Sequence, residues 1–236
     1  MQSHVHYLPL TPGPFSILVL IAIGLLILIQ FRILRYAYMR LGVSSGTAFL
    51  LLMGSLIGSY FNIPLTVLPS GSNGSAEVVE FFGMRYAVPL MARPETIVAV
   101  NVGGAVIPTL MSLYLLIRYQ LWMSGLLATA VVAVVIHMAA TPVHGLGIAV
   151  PVFMPALTTA IVSFVLSREY APPLAYISGS LGTLIGADLS NLDKVAGLGA
   201  PVASIGGAGT FDGIFLTGIL AVLMASIVSP RPRAAG

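Results

Sequence analysis

Two aspartates set among glycines are the residues of this sequence best suited to chemistry. Asp188 lies in the stretch LGTLIGADLSNL, and Asp212 lies in SIGGAGTFDGIF. Two carboxyl groups held close together do not both ionise easily, so one keeps a proton while the other activates a water molecule. The pair therefore predicts a diaspartyl hydrolase with Asp188 and Asp212 as its catalytic residues.

Glycines stand near both aspartates at a spacing that suits close helix contact. The GxxxG pairs are Gly182–Gly186 and Gly209–Gly213, and such pairs let two helix backbones approach each other in a membrane. We expect the last two apolar segments to pack together, with the acids facing each other across a cleft. The residues expected to bind substrate in this cleft are Gly207, Gly209, Gly213, Asn191 and His144.

Other functions fit the same residues. Asp212 is also explained as a helix cap, because the helix dipole favours an acid at an N-terminus, and Asp188 as an acid exposed to water at the interface. Glycine-broken membrane helices with a carboxylate also suit a cation- or proton-coupled transporter or channel. A non-catalytic membrane scaffold is the remaining alternative.

The sequence favours neither a metal nor a cofactor. It has no cysteine, which excludes thiolate metal sites. A His/carboxylate metal site would draw on His137, His144, Asp188 and Asp212. The two histidines are separated by Pro142, so a shared helix face is not assured, and no His-Glu-x-x-His pattern occurs. Nucleic acid is not expected as a partner, because the basic residues of a chain this apolar report its orientation in the membrane.

The composition is that of a membrane protein. Hydrophobic residues make up 58% of the chain and charged residues only 7%, against about 25% charged residues in an ordinary soluble domain. We therefore predict one integral membrane domain over residues 1–236, with the lipid bilayer and a membrane-embedded substrate or ion as partners. The N-terminal MQSHVHY has no basic region of the kind that begins a cleavable signal, so the first apolar run is expected to stay as an anchor.

The predicted fold class is all-α, with about seven transmembrane helices. A loop at 64–95 is predicted to lie outside the membrane, and its stretch EVVEFFGMRYAVPL favours a short β-hairpin or a re-entrant element. A short tail follows at 229–236. The seven apolar runs are 15–31, 47–63, 96–117, 122–140, 151–167, 173–189 and 208–228.

The distribution of basic residues predicts the orientation. Seven of the ten lysines and arginines follow odd-numbered runs, and Arg85, Arg93 and Lys194 lie on the other side. Because cytoplasmic loops carry the excess of Lys and Arg, we expect the N-terminus outside and the C-terminus in the cytoplasm.

Three segments resemble a prokaryotic family of small multi-pass membrane proteins known as a domain of unknown function. They are TLIGADLSNL, GAPVASIGGAGTFDGIFLTGILA and TPVHGLGIAVPVFMPAL, and the resemblance covers most of the chain. It implies residence in the prokaryotic cytoplasmic membrane, without implying an activity.

A partial resemblance to intramembrane aspartyl proteases rests on Asp188, the stretch GAGTFD that ends at Asp212, and the Pro-Ala-Leu at 155–157. Proteases of the presenilin and signal-peptide-peptidase type use one Asp in one helix and a second in a Gly-x-Gly-Asp motif, with a Pro-Ala-Leu nearby. Here two extra residues precede Asp212, Pro-Ala-Leu precedes both acids, and Ala187 replaces the tyrosine before the first acid. The resemblance implies cleavage of a membrane-embedded substrate.

Overall fold

The computed structural model of the chain describes residues 31–69, 77–81, 84–88, 95–143, 147–151, 153–195, 202–207 and 213–228. Within these ranges the chain is mostly helical, as predicted. The helices are α1 Phe31–Arg40, α2 Ser45–Gly58, α3 Ile107–Tyr119, α4 Trp122–Ala139, α5 Met154–Leu166, α6 Ala171–Thr183, α7 Leu192–Val195 and α8 Gly213–Val228.

Two of these helices, α3 and α6, are each extended by a π-helical turn, which is wider than an α-helical turn. A π-helical turn, Val102–Val106, leads directly into α3, and a second, Leu184–Asp188, follows α6. A 3₁₀ turn, Leu189–Asn191, then joins the second π turn to α7. A π turn inserts an extra residue and changes the direction in which the next side chains point, and such turns are frequent at functional sites.

Among the described residues, two helices are long and apolar enough to cross a membrane, namely Val102–Tyr119 and Trp122–Ala139. The pair α1 and α2 passes the same test together but is bent by 117° at its break. Two shorter apolar helices are present at Met154–Leu166 and Thr217–Ile227. These findings fit a membrane protein and do not confirm seven spans. The first predicted run, 15–31, lies outside the described residues apart from its last position.

The helices expose large apolar side chains, which is the pattern of helices that face lipid. Leu50 of α2 is 70% exposed, Met123 of α4 is 82% exposed and Ile227 of α8 is 84% exposed. In water such surfaces would drive association, whereas in a bilayer they contact acyl chains.

Helix α6 occupies the centre of the bundle. Nearly every residue from Ala171 to Thr183 is buried, and the helix contacts α3, α4, α5 and α8. The last two long helices, α6 and α8, therefore pack on each other.

The glycines at the contact between α6 and α8 are not the predicted GxxxG residues Gly182 and Gly186. A Cβ on Gly179 would lie 3.4 Å from the Cα of Gly218, so these two glycines bring α6 and α8 together. Gly182 and Gly186 instead face α4, where added Cβ atoms would lie 2.6 Å from Val132 and 2.4 Å from the carbonyl of Ala133. The GxxxG spacing correctly indicated close packing, but the partner of Gly182 and Gly186 is α4.

Two of the apolar runs that were predicted to be helices contain part of a β-strand. β1 Asn62–Pro69 pairs antiparallel with β4 Glu95–Asn101, and β4 pairs parallel with β7 Val202–Ile205. The order of this sheet is β1-β4-β7. The runs at 47–63 and 96–117 are therefore each divided between a helix and a strand. Hydropathy alone does not separate a short apolar strand from the end of an apolar helix.

Two hairpins complete the described structure. β2 Glu77–Phe81 and β3 Met84–Val88 pair antiparallel, with Phe81 opposite Met84, which confirms the hairpin predicted inside the loop 64–95. β5 Thr141–Val143 and β6 Gly147–Ala149 form the second pair, between α4 and α5.

Candidate functional site

Asp188 lies between the end of α6 and the three-stranded sheet. It is the last residue of the second π turn, and its Oδ2 accepts a hydrogen bond of 2.7 Å from the backbone N–H of Gly206. Gly206 directly follows β7. Among the described residues, the second carboxyl oxygen of Asp188 accepts no hydrogen bond.

Glycine is required at position 206 for two reasons. Its φ is +77°, in the left-handed region that residues with a side chain rarely adopt. A Cβ at this position would also lie 2.6 Å from the Cβ of Ala105 and 2.7 Å from its backbone N. The loop after β7 therefore lies directly against the π turn that begins α3, and this contact fixes the N–H that binds Asp188.

Gly207 lies at the same contact. An added Cβ would come within 2.2 Å of Ser204 Oγ and 3.2 Å of Asn101 Cβ. The N–H of Gly207 donates a 3.1 Å hydrogen bond to the carbonyl of Ser204. Gly207, one of the predicted substrate-binding residues, therefore lies next to Gly206, whose N–H binds Asp188.

Two asparagines and a serine connect the three strands at this end of the sheet. Asn62 Oδ1 accepts hydrogen bonds from Asn101 Nδ2 at 3.1 Å and from Ser204 Oγ at 2.6 Å. Asn101 Nδ2 also donates to the carbonyl of Ser59, at 2.8 Å, at the end of α2. One residue from each strand thus takes part in a single network.

Asn101 also caps the helix that follows it. Its Oδ1 accepts a 2.8 Å hydrogen bond from the N–H of Gly104, in the position that an N-cap side chain takes at a helix start. The backbone around it is closely packed, because a Cβ on Gly103 would lie 2.1 Å from the carbonyl oxygen of Ser55.

Asn191 holds the turn that carries Asp188. Its side chain is fully buried, and its Nδ2 donates to the carbonyls of Gly186 at 3.1 Å and Ala187 at 2.9 Å. Lys194 Nζ donates to its Oδ1 at 2.7 Å, and Nδ1 of His137 lies 3.4 Å from its Nδ2. These contacts satisfy carbonyls within the π turn and give Asn191 a structural role, while its predicted contact with substrate stays a prediction.

Three predicted site residues, Asp212, His144 and Gly209, lie outside the described residues. The predicted proximity of Asp212 to Asp188 therefore stays a prediction. Gly213, the next residue after Asp212, is the first residue of α8. In the parts of the chain that the structure describes, no three His, Asp or Glu side chains lie together as a metal site would require.

Sequence reasoning missed the roles of Asn101 and Ser204. A signal for Asn101 was present, because two asparagines, Asn62 and Asn101, stand at the adjoining ends of consecutive apolar runs. Ser204 gave no such signal, since a serine in a glycine-rich stretch is typical of an ordinary loop.

Residues 56–224 match the family described as protein of unknown function DUF1614. The chain belongs to this family. The matched part of this DUF1614 chain contains the sheet, both π turns, Asp188 and Asp212, and it leaves out α1. No curated protein and no solved structure matches the chain.

Proposed function

We propose that this DUF1614 protein is a membrane-embedded diaspartyl hydrolase of the prokaryotic cytoplasmic membrane, with its N-terminus outside and its C-terminus in the cytoplasm. Asp188 and Asp212 are its proposed catalytic residues, and a membrane-embedded or interfacial peptide is its proposed substrate. The observation that carries the proposal is the hydrogen bond from Gly206 N–H to Asp188, which holds a carboxyl group at the end of a strand.

Chain length supports the pairing of the two acids. Gly207 and Asp212 are separated by five peptide units, which span at most about 18 Å when fully extended. Because Gly206 binds Asp188 directly, the second acid follows on a short connection that starts beside the first. The next residue, Gly213, begins α8, which packs on α6 and also contacts the π turn before α3.

In the proposed reaction, one carboxyl group is protonated and the other is ionised. The ionised group takes a proton from a water molecule, whose oxygen attacks the carbonyl carbon of the scissile peptide bond, while the protonated group donates its proton toward the carbonyl oxygen. Collapse of the tetrahedral intermediate breaks the C–N bond. The leaving nitrogen takes the proton that the first carboxylate removed from water, and a hydroxyl of the intermediate returns a proton to the other carboxylate. In either role, the proposed reacting oxygen of Asp188 is the one that accepts no hydrogen bond from the described residues.

The sheet supports a peptide as the substrate. β7 lies at one edge of the described sheet, and its first residue, Val202, is 44% exposed. An edge strand presents backbone groups to which an extended peptide can add as a further strand. A peptide bound along β7 would run toward Gly206 and thus toward Asp188.

The experiment that tests this proposal is cleavage of a membrane-embedded reporter by the purified protein in vesicles. We expect Asp188→Asn and Asp212→Asn each to reduce cleavage by at least about 100-fold, the usual contribution of a general acid or base. The matched control is Asp193→Asn, because Asp193 is an exposed acid five residues from Asp188. Cleavage retained by either folded Asp188 or Asp212 variant would rule the proposal out.

A cation- or proton-coupled transporter is the second candidate, and buried hydroxyl groups favour it. Thr129, Thr159, Ser180 and Thr183 are buried on α4, α5 and α6, and their hydroxyl oxygens find no hydrogen-bond partner among the described residues. Unpaired hydroxyls inside an apolar bundle can solvate a proton or cation that moves toward a carboxylate.

Ion flux distinguishes this candidate from the hydrolase. If the protein is a transporter, cations or protons should enter proteoliposomes, and this flux should be lower in the Thr183→Val and Asp188→Asn variants. The membrane-embedded reporter should not be cleaved. Vesicles that stay tight to common cations and to a pH gradient would count against transport.

A further inference from the structure

The end of the bundle opposite the sheet carries arginines among aromatic rings. The Arg118 guanidinium lies 5.6 Å from the centre of the Tyr114 ring and 5.7 Å from that of Tyr119. Tyr119 in turn lies 5.7 Å from Tyr170, ring centre to ring centre. Two residues before Tyr170 is Arg168, which is exposed. Arg118 and Arg168 therefore lie at the same end of the bundle.

The C-terminal end of α1 contacts this end of the bundle. The hydroxyl of Tyr119 donates a 3.0 Å hydrogen bond to the carbonyl of Leu41, just after α1. A Cβ on the next residue, Gly42, would lie 3.9 Å from a guanidinium nitrogen of Arg118. Arg32 and Arg35 are exposed on α1.

The exposed surface of α1 is both basic and apolar. Ile33, Tyr36 and Met39 are 40%, 47% and 43% exposed beside the two arginines, whereas Tyr38 and Ala37 are fully buried against the bundle. The axis of α1 is bent by 117° from that of α2. A helix with this composition, turned away from its neighbouring apolar helix, is typical of a segment that lies in the plane of a membrane surface.

The charge at this end is almost entirely positive. Among the described residues near Arg168, the acid is its neighbour Glu169, which is exposed. Guanidinium groups bind phosphate through paired N–H donors, and basic residues at a membrane surface attract anionic lipids. The surface therefore complements a layer of negatively charged phosphate headgroups.

We propose that Arg32, Arg35, Arg118 and Arg168 form an arginine face that binds the phosphate of anionic phospholipids. Ile33, Tyr36 and Met39 insert among the adjoining acyl chains and hold α1 at the surface. The inference rests on residence in a bilayer and is independent of the hydrolase chemistry at Asp188.

The single tryptophan of the chain provides the probe. Trp122 begins α4 four residues after Arg118 and is 42% exposed. The protein is reconstituted into phosphatidylcholine vesicles that contain, at equal mole fraction, either brominated phosphatidylglycerol or brominated phosphatidylcholine. Bromine quenches tryptophan fluorescence on contact. Quenching by both lipids shows that Trp122 contacts the bilayer, and the ratio between them measures enrichment of the anionic lipid.

We expect brominated phosphatidylglycerol to quench Trp122 more strongly than brominated phosphatidylcholine. The relative association constant of the anionic lipid should fall about fivefold for each arginine neutralised by glutamine. Arg118→Gln removes contacts with two tyrosines, so the pair Arg32→Gln and Arg35→Gln, on an exposed helix surface, provides the test that does not depend on the packing of α3. The matched control is Lys194→Gln, which removes a positive charge at the sheet end and keeps an N–H donor.

Three results would overturn the proposal. The first is equal quenching by the two lipids in the unaltered protein. The second is an unchanged ratio in the folded Arg32 and Arg35 variant. The third is loss of the enrichment on adding inorganic phosphate at constant ionic strength, which would show a site for free phosphate in place of a lipid-binding surface.

Discussion

Helices begin and end differently at the two ends of the bundle. At the sheet end, which carries Asn62, Asn101, Asp188 and Ser204, both described π turns interrupt the helical winding. At the arginine face, α3 ends with Gln120 in a left-handed conformation, with φ of 51°, and α4 begins almost at once. Backbones pack closely at the sheet end, whereas the arginine face exposes cations.

The polar groups of the two ends differ in the same way. Side chains at the sheet end bind one another and backbone N–H groups in a continuous network, as Asn62 does with Asn101 and Ser204. At the arginine face, cations rest on aromatic rings and remain partly open to solvent, as Arg118 does over Tyr114 and Tyr119. A tight network holds a carboxyl group in one geometry, which catalysis or ion binding requires, whereas a looser cationic surface suits contact with mobile lipids. This contrast predicts that small changes cost more at the sheet end.

The largest expected effect comes from filling the tightest contact at the sheet end. In Gly103→Ala the new Cβ would lie 2.1 Å from Ser55 O and 2.4 Å from Ser59 N, and both are backbone atoms with little freedom to move. We expect the free energy of unfolding to fall by about 3 kcal/mol, at the upper end of the usual cost of overpacking, measured by Trp122 fluorescence during denaturation in detergent.

Gly46→Ala is the control for this substitution. Gly46 lies in the first turn of α2, and its added Cβ would meet no atom closer than 4.0 Å. Alanine has the better helix propensity, so this variant should be as stable as the natural protein or slightly more so. Equal stability of the Gly103 and Gly46 variants would contradict the close contact between α2 and the π turn.

A smaller effect is expected from Asn101→Ala. The change removes hydrogen bonds to Ser59 O and Asn62 Oδ1 and the cap on Gly104 N–H. Loss of a cap and of buried hydrogen bonds should lower the free energy of unfolding by about 2 kcal/mol, measured in the same denaturation experiment.

Asn101→Asp separates the two roles of this side chain. A carboxylate still accepts from Gly104 N–H but donates nothing to Ser59 or Asn62. Its second oxygen would be buried against two acceptors, Ser59 O and Asn62 Oδ1, so we expect the aspartate variant to be less stable than the alanine variant although it keeps the cap. An aspartate variant that is more stable than the alanine variant would show that the cap outweighs the two donor contacts.

The smallest effect is expected at the arginine face. Tyr119→Phe removes the 3.0 Å hydrogen bond to Leu41 O and keeps the ring that contacts Arg118 and Tyr170. The expected loss is about 1 kcal/mol, the net value of one hydrogen bond, followed by thermal unfolding with Trp122 fluorescence. A loss greater than that of Asn101→Ala would reverse the comparison between the two ends.

Much of the helical structure was predictable from apolar runs with clear limits. The run 122–140 became α4, Trp122–Ala139, because Gln120 and Pro142 bound it on either side. The hairpin around Gly83-Met84 was predictable for a related reason. Its β-branched and aromatic residues lie on either side of Gly83 in the sequence, and Phe81 stands opposite Met84 in the structure.

The strand β4 shows where such reasoning fails. The segment ETIVAVN is apolar and continues without a break in hydropathy into the residues of α3. Its β-branched residues favour a strand, and Asn101, followed after Val102 by two glycines, marks the change to a helix. Local preference is too weak to decide between helix and strand for this segment. Pairing with β1 and β7 makes it a strand.

The sequence by itself determined that this chain is mostly helical and suited to a membrane, that its basic residues divide unevenly, and that Asp188 is set in a glycine-rich segment. Only the tertiary structure decided that Gly206 donates to Asp188, that Gly186 packs on α4, and that Asn62, Asn101 and Ser204 meet. The physical reason is that composition and periodicity report whether a residue prefers lipid, water or a packed contact. They do not report which distant residue supplies that contact, since the path of the whole chain brings positions 62, 101 and 204 together.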